Sequence, residues 1–242
     1  MLNFNFQNIK IAFSERIDGD FRQIQPAKIK SFLDREWGQA KNSLLLLDNL
    51  DQIIVLDEDN FGQNFAGDAV LSNFKSSGET RKETRISMVV GDCFPLIFFD
   101  QKSKNIAMVH AGRKPLSLGI LDKVWAMMLE QWQTSSENIW AFLGPGIRKQ
   151  SYLMPEKPLQ ADEENWQAFI KKSDLNADRP WQIDLPGFIK YFLQEKDFVM
   201  SQFQDSQFDT FTLEKQFFSH RRSQLTGEED GRFIVACRLF NC

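Results

Sequence analysis

Apolar positions along this chain fall into two spacings, and each spacing predicts its own kind of element. Residues Ala27 to Trp37 carry Ile29, Phe32, Leu33 and Trp37 on roughly one stripe of a helix. Leu116 to Trp132 predicts the strongest helix, with Leu118, Leu121, Val124, Trp125, Met128 and Leu129 at spacings of three, four and one. Two more helices are predicted over Asp162 to Lys172 and Leu185 to Gln194. Short apolar runs bounded by turn residues predict strands at Ile9 to Phe13, Gln52 to Leu56, Ile86 to Val90, Pro95 to Phe99, Ile106 to His110, Asn138 to Leu143 and Gly231 to Leu239. Ser43 to Leu47 is a further apolar run. The stretch Asp100 to Asn105 turns the fourth and fifth of these strands into a hairpin. Ser14 to Asp20 reads as a charged turn, Asn60 to Gly67 as a loop, and Lys75 to Thr84 as a charged tip between two strands. Strands and helices mix without strict βαβ alternation, and no linker or repeat divides the chain. The expectation is one mixed-sheet domain of the α+β class over residues 1–242.

Composition narrows the class of function. The 242 residues are 42% hydrophobic and 26% charged, a profile that suits a soluble globular protein with a sizeable core. The formal net charge of −4 argues against nucleic acid as a partner. No apolar stretch is long enough to cross a bilayer, and the N-terminus shows no basic segment followed by an apolar core. Cys93, Cys237 and Cys242 show no CxxC spacing and are odd in number, so a reducing, cytoplasmic location is expected. Only His110 and His220 supply imidazoles, too few for a multicopper cluster.

The candidate chemistry is concentrated in a few segments. Cys93 in GDCFP and His110 lie 17 residues apart, at the open ends of the predicted hairpin. Thiolate and imidazole are a zinc-ligand pair, and equally a nucleophile and base for acyl transfer. The plainer alternative is a buried thiol beside a hydrogen-bonded structural histidine. Gly112, and Gly144 and Gly146 around Pro145, offer close backbone approach or N–H groups for phosphate, or else ordinary tight turns. Arg221 and Arg222 in FFSHRR suit phosphate or carboxylate recognition, with a solvated basic turn as the alternative. Arg16 is a weaker candidate of the same kind.

In order along the chain, AFSERIDG (12–19), GDAVLSN (67–73), GDCFPLIFFD (91–100), VHAG (109–112), FLGPGI (142–147), DLPGFIKYFL (184–193) and FFSHRR followed by GRFIVACRL resemble the successive blocks of one family. It is the laccase-domain family, named for multicopper polyphenol oxidases and associated with zinc-dependent purine nucleoside chemistry. The resemblance implies a single four-layer α/β/β/α domain and a cytoplasmic enzyme that cleaves purine nucleosides with phosphate or deaminates adenosine. It also implies one zinc held by a His, a Cys and a second His, with an open position for water.

Cys93 and His110 match the second and third of those ligands. The first falls on Leu50, in the run Leu47-Asp48-Asn49-Leu50-Asp51, leaving Asp48 or Asp51 as possible oxygen ligands. If roughly 10–16 kcal/mol of zinc binding is shared by four ligands, losing one costs about 3 kcal/mol, or more than ~100-fold in affinity. Arg113-Lys114-Pro115 replaces the family's Trp-Arg-Gly, Asp18 stands at the first Gly of its early turn, and Lys75 to Thr84 extends the rim. Three readings follow. They are a nucleoside phosphorylase or deaminase with a weakened zinc site, a non-catalytic relative binding a purine or a protein partner, and a metal-free Cys-His hydrolase.

Overall fold

Alternation along the strands sorts apolar residues onto the two faces of two six-stranded mixed sheets. The computed structural model describes residues 1–7, 9–22, 25–47, 51–74, 84–174 and 176–239. The strands are β1 (Leu2–Phe6), β2 (Ile9–Phe13), β3 (Lys41–Leu46), β4 (Ile53–Leu56), β5 (Asn64–Ala66), β6 (Ala69–Ser72), β7 (Thr84–Val90), β8 (Phe94–Asp100), β9 (Ile106–Ala111), β10 (Ile139–Leu143), β11 (Leu153–Met154), β12 (Ile170–Lys172), β13 (Trp181–Ile183), β14 (Phe203–Asp205) and β15 (Phe233–Leu239). The helices are α1 (Pro26–Trp37), α2 (Arg113–Ser117), α3 (Ile120–Trp132), α4 (Leu185–Glu195) and α5 (His220–Thr226). The first sheet runs β1-β2-β15-β7-β3-β5, the second β14-β10-β8-β9-β6-β4, and a small third one β11-β13-β12.

The two large sheets pack face to face. Ile9, Ile11, Phe13, Met88 and Val235 of the first meet Val70, Ile97, Phe99, Met108 and Phe142 of the second. The outer face of the first sheet, with Ala12, Leu44, Ile234 and Ala236, takes the buried stripe of α1. The outer face of the second, with Leu96, Phe98, Ala107 and Val109, takes α3 and α4. This is the four-layer α/β/β/α arrangement. Burying an apolar side chain there stabilises by roughly 1.5–3 kcal/mol, so the sandwich rather than local propensity fixes strand register. No helix among the described residues is long and apolar enough to cross a membrane.

Three sequence expectations need correction. The helix expected from Leu116 to Trp132 is two helices, because Gly119 takes a left-handed φ of 76° between them and leaves Leu118 exposed. The helix expected over Asp162 to Lys172 is absent. Short 3-10 turns at Leu159–Asp162 and Glu164–Trp166 lead into β12, since Ile170 pairs with Ile183 and Trp166 stacks on Phe188 at 4.1 Å. The loop expected over Asn60 to Gly67 contains β5, parallel to β3. The charged tip at 75–83 lies outside the described residues.

Candidate active site: a Cys-His pair on the floor of a cleft

The β8–β9 hairpin has a register that pairs Pro95 with His110 and Phe94 with Ala111. Cys93 therefore stands one step beyond the paired strands, opposite Gly112. His110 shares strand parity with Met108 and so points between the large sheets. Gly112 closes the contact: a Cβ there would lie 2.8 Å from Cys93 Sγ and 3.1 Å from His110 Nε2. Any larger residue at 112 would collide with both groups. The sequence expectation that hairpin closure brings the thiol and the imidazole together holds.

A third residue joins them. His110 Nδ1 lies 2.7 Å from Asp68 Oδ1, and the two residues are also linked backbone to backbone at 2.8 Å. Asp68 is fully buried and His110 nearly so. With the Nδ1 proton on the Asp68 side, Nε2 is left for the hydrogen bond to Cys93. Burial alone would discharge the ring. The charges of Cys93 and Asp68 outweigh it and lift the His110 pKa to about 9. The loop carrying Cys93 is fixed by Asp92, which sits at a left-handed φ of 72°. Its carboxylate accepts from the Thr210 hydroxyl at 2.7 Å and from the Arg221 backbone N–H at 2.6 Å.

Cys93 and His110 form part of the floor of a cleft of 540 Å³. Phe21, Ile29, Leu45 and Val89 give it an apolar flank, and the guanidinium groups of Arg22 and Arg232, with His220 beside them, a polar one. Those three residues share Asp230: Arg22 at 3.2 Å, His220 at 3.2 Å, and Arg232 through a close contact.

The other expected site residues have different occupations. Asp51 brings its backbone N–H, not its carboxylate, to the site, donating to Asp68 Oδ2 at 3.0 Å. Its φ of 53° turns the side chain to pair with Lys123 on α3. Asp48 and Leu50 lie outside the described residues. Gly144 and Gly146 give their N–H groups to the carbonyls of Pro95 and Phe208. Both are glycines because Phe13, Phe94 and Pro95 pack against them, so the expected anion-binding role gives way to packing. Arg222 is buried, its guanidinium committed to Glu228 and to the carbonyls of Thr210, Phe211 and Phe217. Arg16 pairs with Glu228 and lies over the Phe218 ring, away from the cleft. Arg221 remains beside Cys93, over the Tyr152 ring at 5.5 Å. The sequence reading missed Asp68, Asp92, Arg22, Arg113, Tyr152, Asp230 and Arg232.

The zinc implied by the resemblance does not fit this donor set. Cys93 and His110 are two ligands, and Asp68 is spent on the Nδ1 side of His110. No group of three His, Cys, Asp or Glu that could hold a metal exists among the described residues. Three protein ligands are the usual minimum for a catalytic zinc.

Residues 38–239 match the family described as multi-copper polyphenol oxidoreductase laccase. "Purine nucleoside phosphorylase YlmD" of Bacillus subtilis is 26% identical over 151 residues, 59% of this chain and 51% of that protein. "Purine nucleoside phosphorylase RC0672" of Rickettsia conorii is 24% identical over 208 residues, 81% of each chain. The match thus spans about half the length of the first relative and four fifths of the second. The crystal structure of Neisseria meningitidis protein NMB0706 superposes with a TM-score of 0.75 over 99% of both chains at 18% identity, a likeness of fold. With the family match covering most of its length, the chain belongs to the multi-copper polyphenol oxidoreductase laccase family.

Proposed function

We propose that the cleft binds a purine nucleoside and that the chain cleaves it with phosphate, the activity for which its relatives are named. The supporting observation is the meeting of Cys93, His110 and Asp68 on the floor of a cleft with one apolar and one cationic flank. A purine ring suits the flank of Phe21, Ile29, Leu45 and Val89. In phosphorolysis a phosphate oxygen bonds to C1′ of the sugar as the C1′–N9 bond breaks, and the electron pair leaves on the purine. His110 Nε2 donates a proton to the departing purine, while Asp68 holds the ring in position. Cys93 orients that proton, and Gly112 leaves room for the substrate above both. No step is routed through zinc, whose affinity here is expected to be weakened by the Leu at position 50. A cytoplasmic location is part of the proposal, because a disulfide at Cys93 would block the site.

The test is incubation of purified protein with inosine and phosphate. Hypoxanthine and ribose 1-phosphate are expected, with kcat reduced 10²-fold or more in His110→Ala. Intact inosine at every phosphate concentration would sink the reading. Conversion of adenosine to inosine in the same assay would move the activity to deamination.

A second reading has its own supporting observation. Cys93, His110 and Asp68 follow one another as nucleophile, base and orienting carboxylate, the order used in acyl transfer. A metal-free hydrolase of this kind would carry an acetyl group on Cys93 after exposure to p-nitrophenyl acetate. Mass spectrometry that finds Cys93 unmodified eliminates it.

A further inference from the structure

Beside the cleft, and sharing Gly91, Cys93 and His220 with it, lies a small cavity of 80 Å³. At about 30 Å³ per water it has room for two to three waters, or one tetrahedral oxyanion. Arg113, Arg221, Tyr152 and Asp92 supply its polar lining. Arg113 gives one guanidinium nitrogen to Gln160, yet its Nε is buried with no acceptor among the described residues. A buried donor left empty is costly, and an anion in the cavity would satisfy it. Neither Arg113 nor Arg221 has a carboxylate partner there among the described residues, whereas Arg16, Arg22, Arg148, Arg222 and Arg232 each do. Asp92 faces the same cavity, but both its oxygens are already bonded, to Thr210 and to the backbone of Arg221. Arg113 and Arg221 thus bring two guanidinium groups to the cavity, against an Asp92 carboxylate whose acceptor sites are already taken. The Tyr152 phenol is hydrogen-bonded to Arg113 and is kept protonated by burial, which makes it a further donor.

Resting on the phosphorolysis reading above, we propose that this cavity is the phosphate subsite, with Arg113 and Arg221 clamping the anion and Tyr152 donating to it. The shared Cys93 and His220 edge sets the phosphate against the sugar end of a nucleoside in the larger cleft. Arg113 stands where the resembling family has Trp, so this arm of the clamp is the chain's own, whereas Arg221 lies in the FFSHRR block that resembles the family's. Arg forks suit bidentate contact with a phosphate better than a lysine would.

Calorimetric titration of the full chain with inorganic phosphate tests the subsite without nucleoside. One phosphate is expected per chain, weakened tenfold or more in Arg113→Met and in Arg221→Met, with Arg113→Lys intermediate. Sulfate should compete for the same site. Acetate, with only two oxygens, should bind more weakly than either. Circular dichroism confirms that each variant is folded, and Arg221→Met carries the test if Arg113→Met is not. In the phosphorolysis assay the same substitutions raise KM for phosphate and leave KM for inosine near its original value. Wild-type protein that binds no phosphate, or variants that bind it unchanged, would overturn the subsite. Variant-sensitive phosphate binding with inosine left intact would keep the subsite and remove the phosphorolysis reading. Cleavage of inosine with KM for phosphate unchanged in both variants would do the reverse.

Discussion

The two histidines line the same cleft, and each has a carboxylate beside its Nδ1. Their surroundings differ. His110 sits on a strand, nearly buried, 2.7 Å from the fully buried Asp68. His220 opens a short helix, is about half exposed, and lies 3.2 Å from an Asp230 already shared with Arg22 and Arg232. In the first pair low polarity makes the interaction strong. In the second, water and two guanidinium groups dilute it. The dry wall is built to hold one ring in one orientation, and the wet wall to hold a layer of positive charge.

The largest expected effect tests that difference directly. Asp68→Ala leaves a buried imidazole and the Asp51 N–H without their acceptor, and should cost about 3–5 kcal/mol in urea unfolding. Asp230→Ala, on the exposed wall, should cost about 1 kcal/mol or less. Equal losses would show that burial does not separate the walls.

Next comes Leu50→His, which supplies the third zinc ligand that the resemblance expects beside Cys93 and His110. Zinc affinity measured against a chelator should rise by ~100-fold or more. No gain would mean that the missing ligand belongs elsewhere in the chain.

The dry wall should still expose its thiol. Cys93 lines both cavities, whereas Cys237 is fully buried between the sheets and burial pushes its thiol pKa up. Iodoacetamide should modify Cys93 in the native protein on the order of 100-fold faster than Cys237, and urea should abolish the difference. Comparable native rates would place Cys93 out of reach of any substrate.

Much of this site was legible because it is local. The apolar runs 95–99 and 106–110 with a polar turn between them define a hairpin, and the hairpin alone brings Cys93 to His110. Asp68 was harder to see, since its role follows from β6 pairing with β9 across a long interval of sequence. Its one signal is parity with Val70, which faces the other sheet. Arg222 illustrates the opposite error. Ser219 caps α5 by accepting from the Arg222 N–H, and the helix that starts there carries the Arg222 side chain inward. The residues 162–172 misled for a related reason. Trp166, Phe169 and Ile170 have helical spacing, but Trp166 finds a better partner in Phe188 and Ile170 finds one in β13. Long-range packing overrides propensity where the local preference is weak.

The smallest expected effect belongs to the wet wall and concerns acid. Burial acts to raise the Asp230 pKa, but Arg232 and His220 outweigh it and hold the group down at about 2. A carboxyl whose folded pKa lies below its unfolded value stabilises the fold fully above pH ~4, and that stabilisation is lost as pH falls towards 2. Partial exposure limits it to about 1 kcal/mol or less, further reduced by salt. Asp34, lowered by Lys30 and Arg85 against its own burial, adds to the same acid limb. Asp230→Asn therefore isolates the contribution: between pH 4 and 2 its stability should fall less steeply than that of the wild-type chain, with the two curves parallel above pH 5. If the curves instead stay parallel throughout, Asp230 is not the hub of the cationic wall, and Arg22, His220 and Arg232 must be held apart by other means.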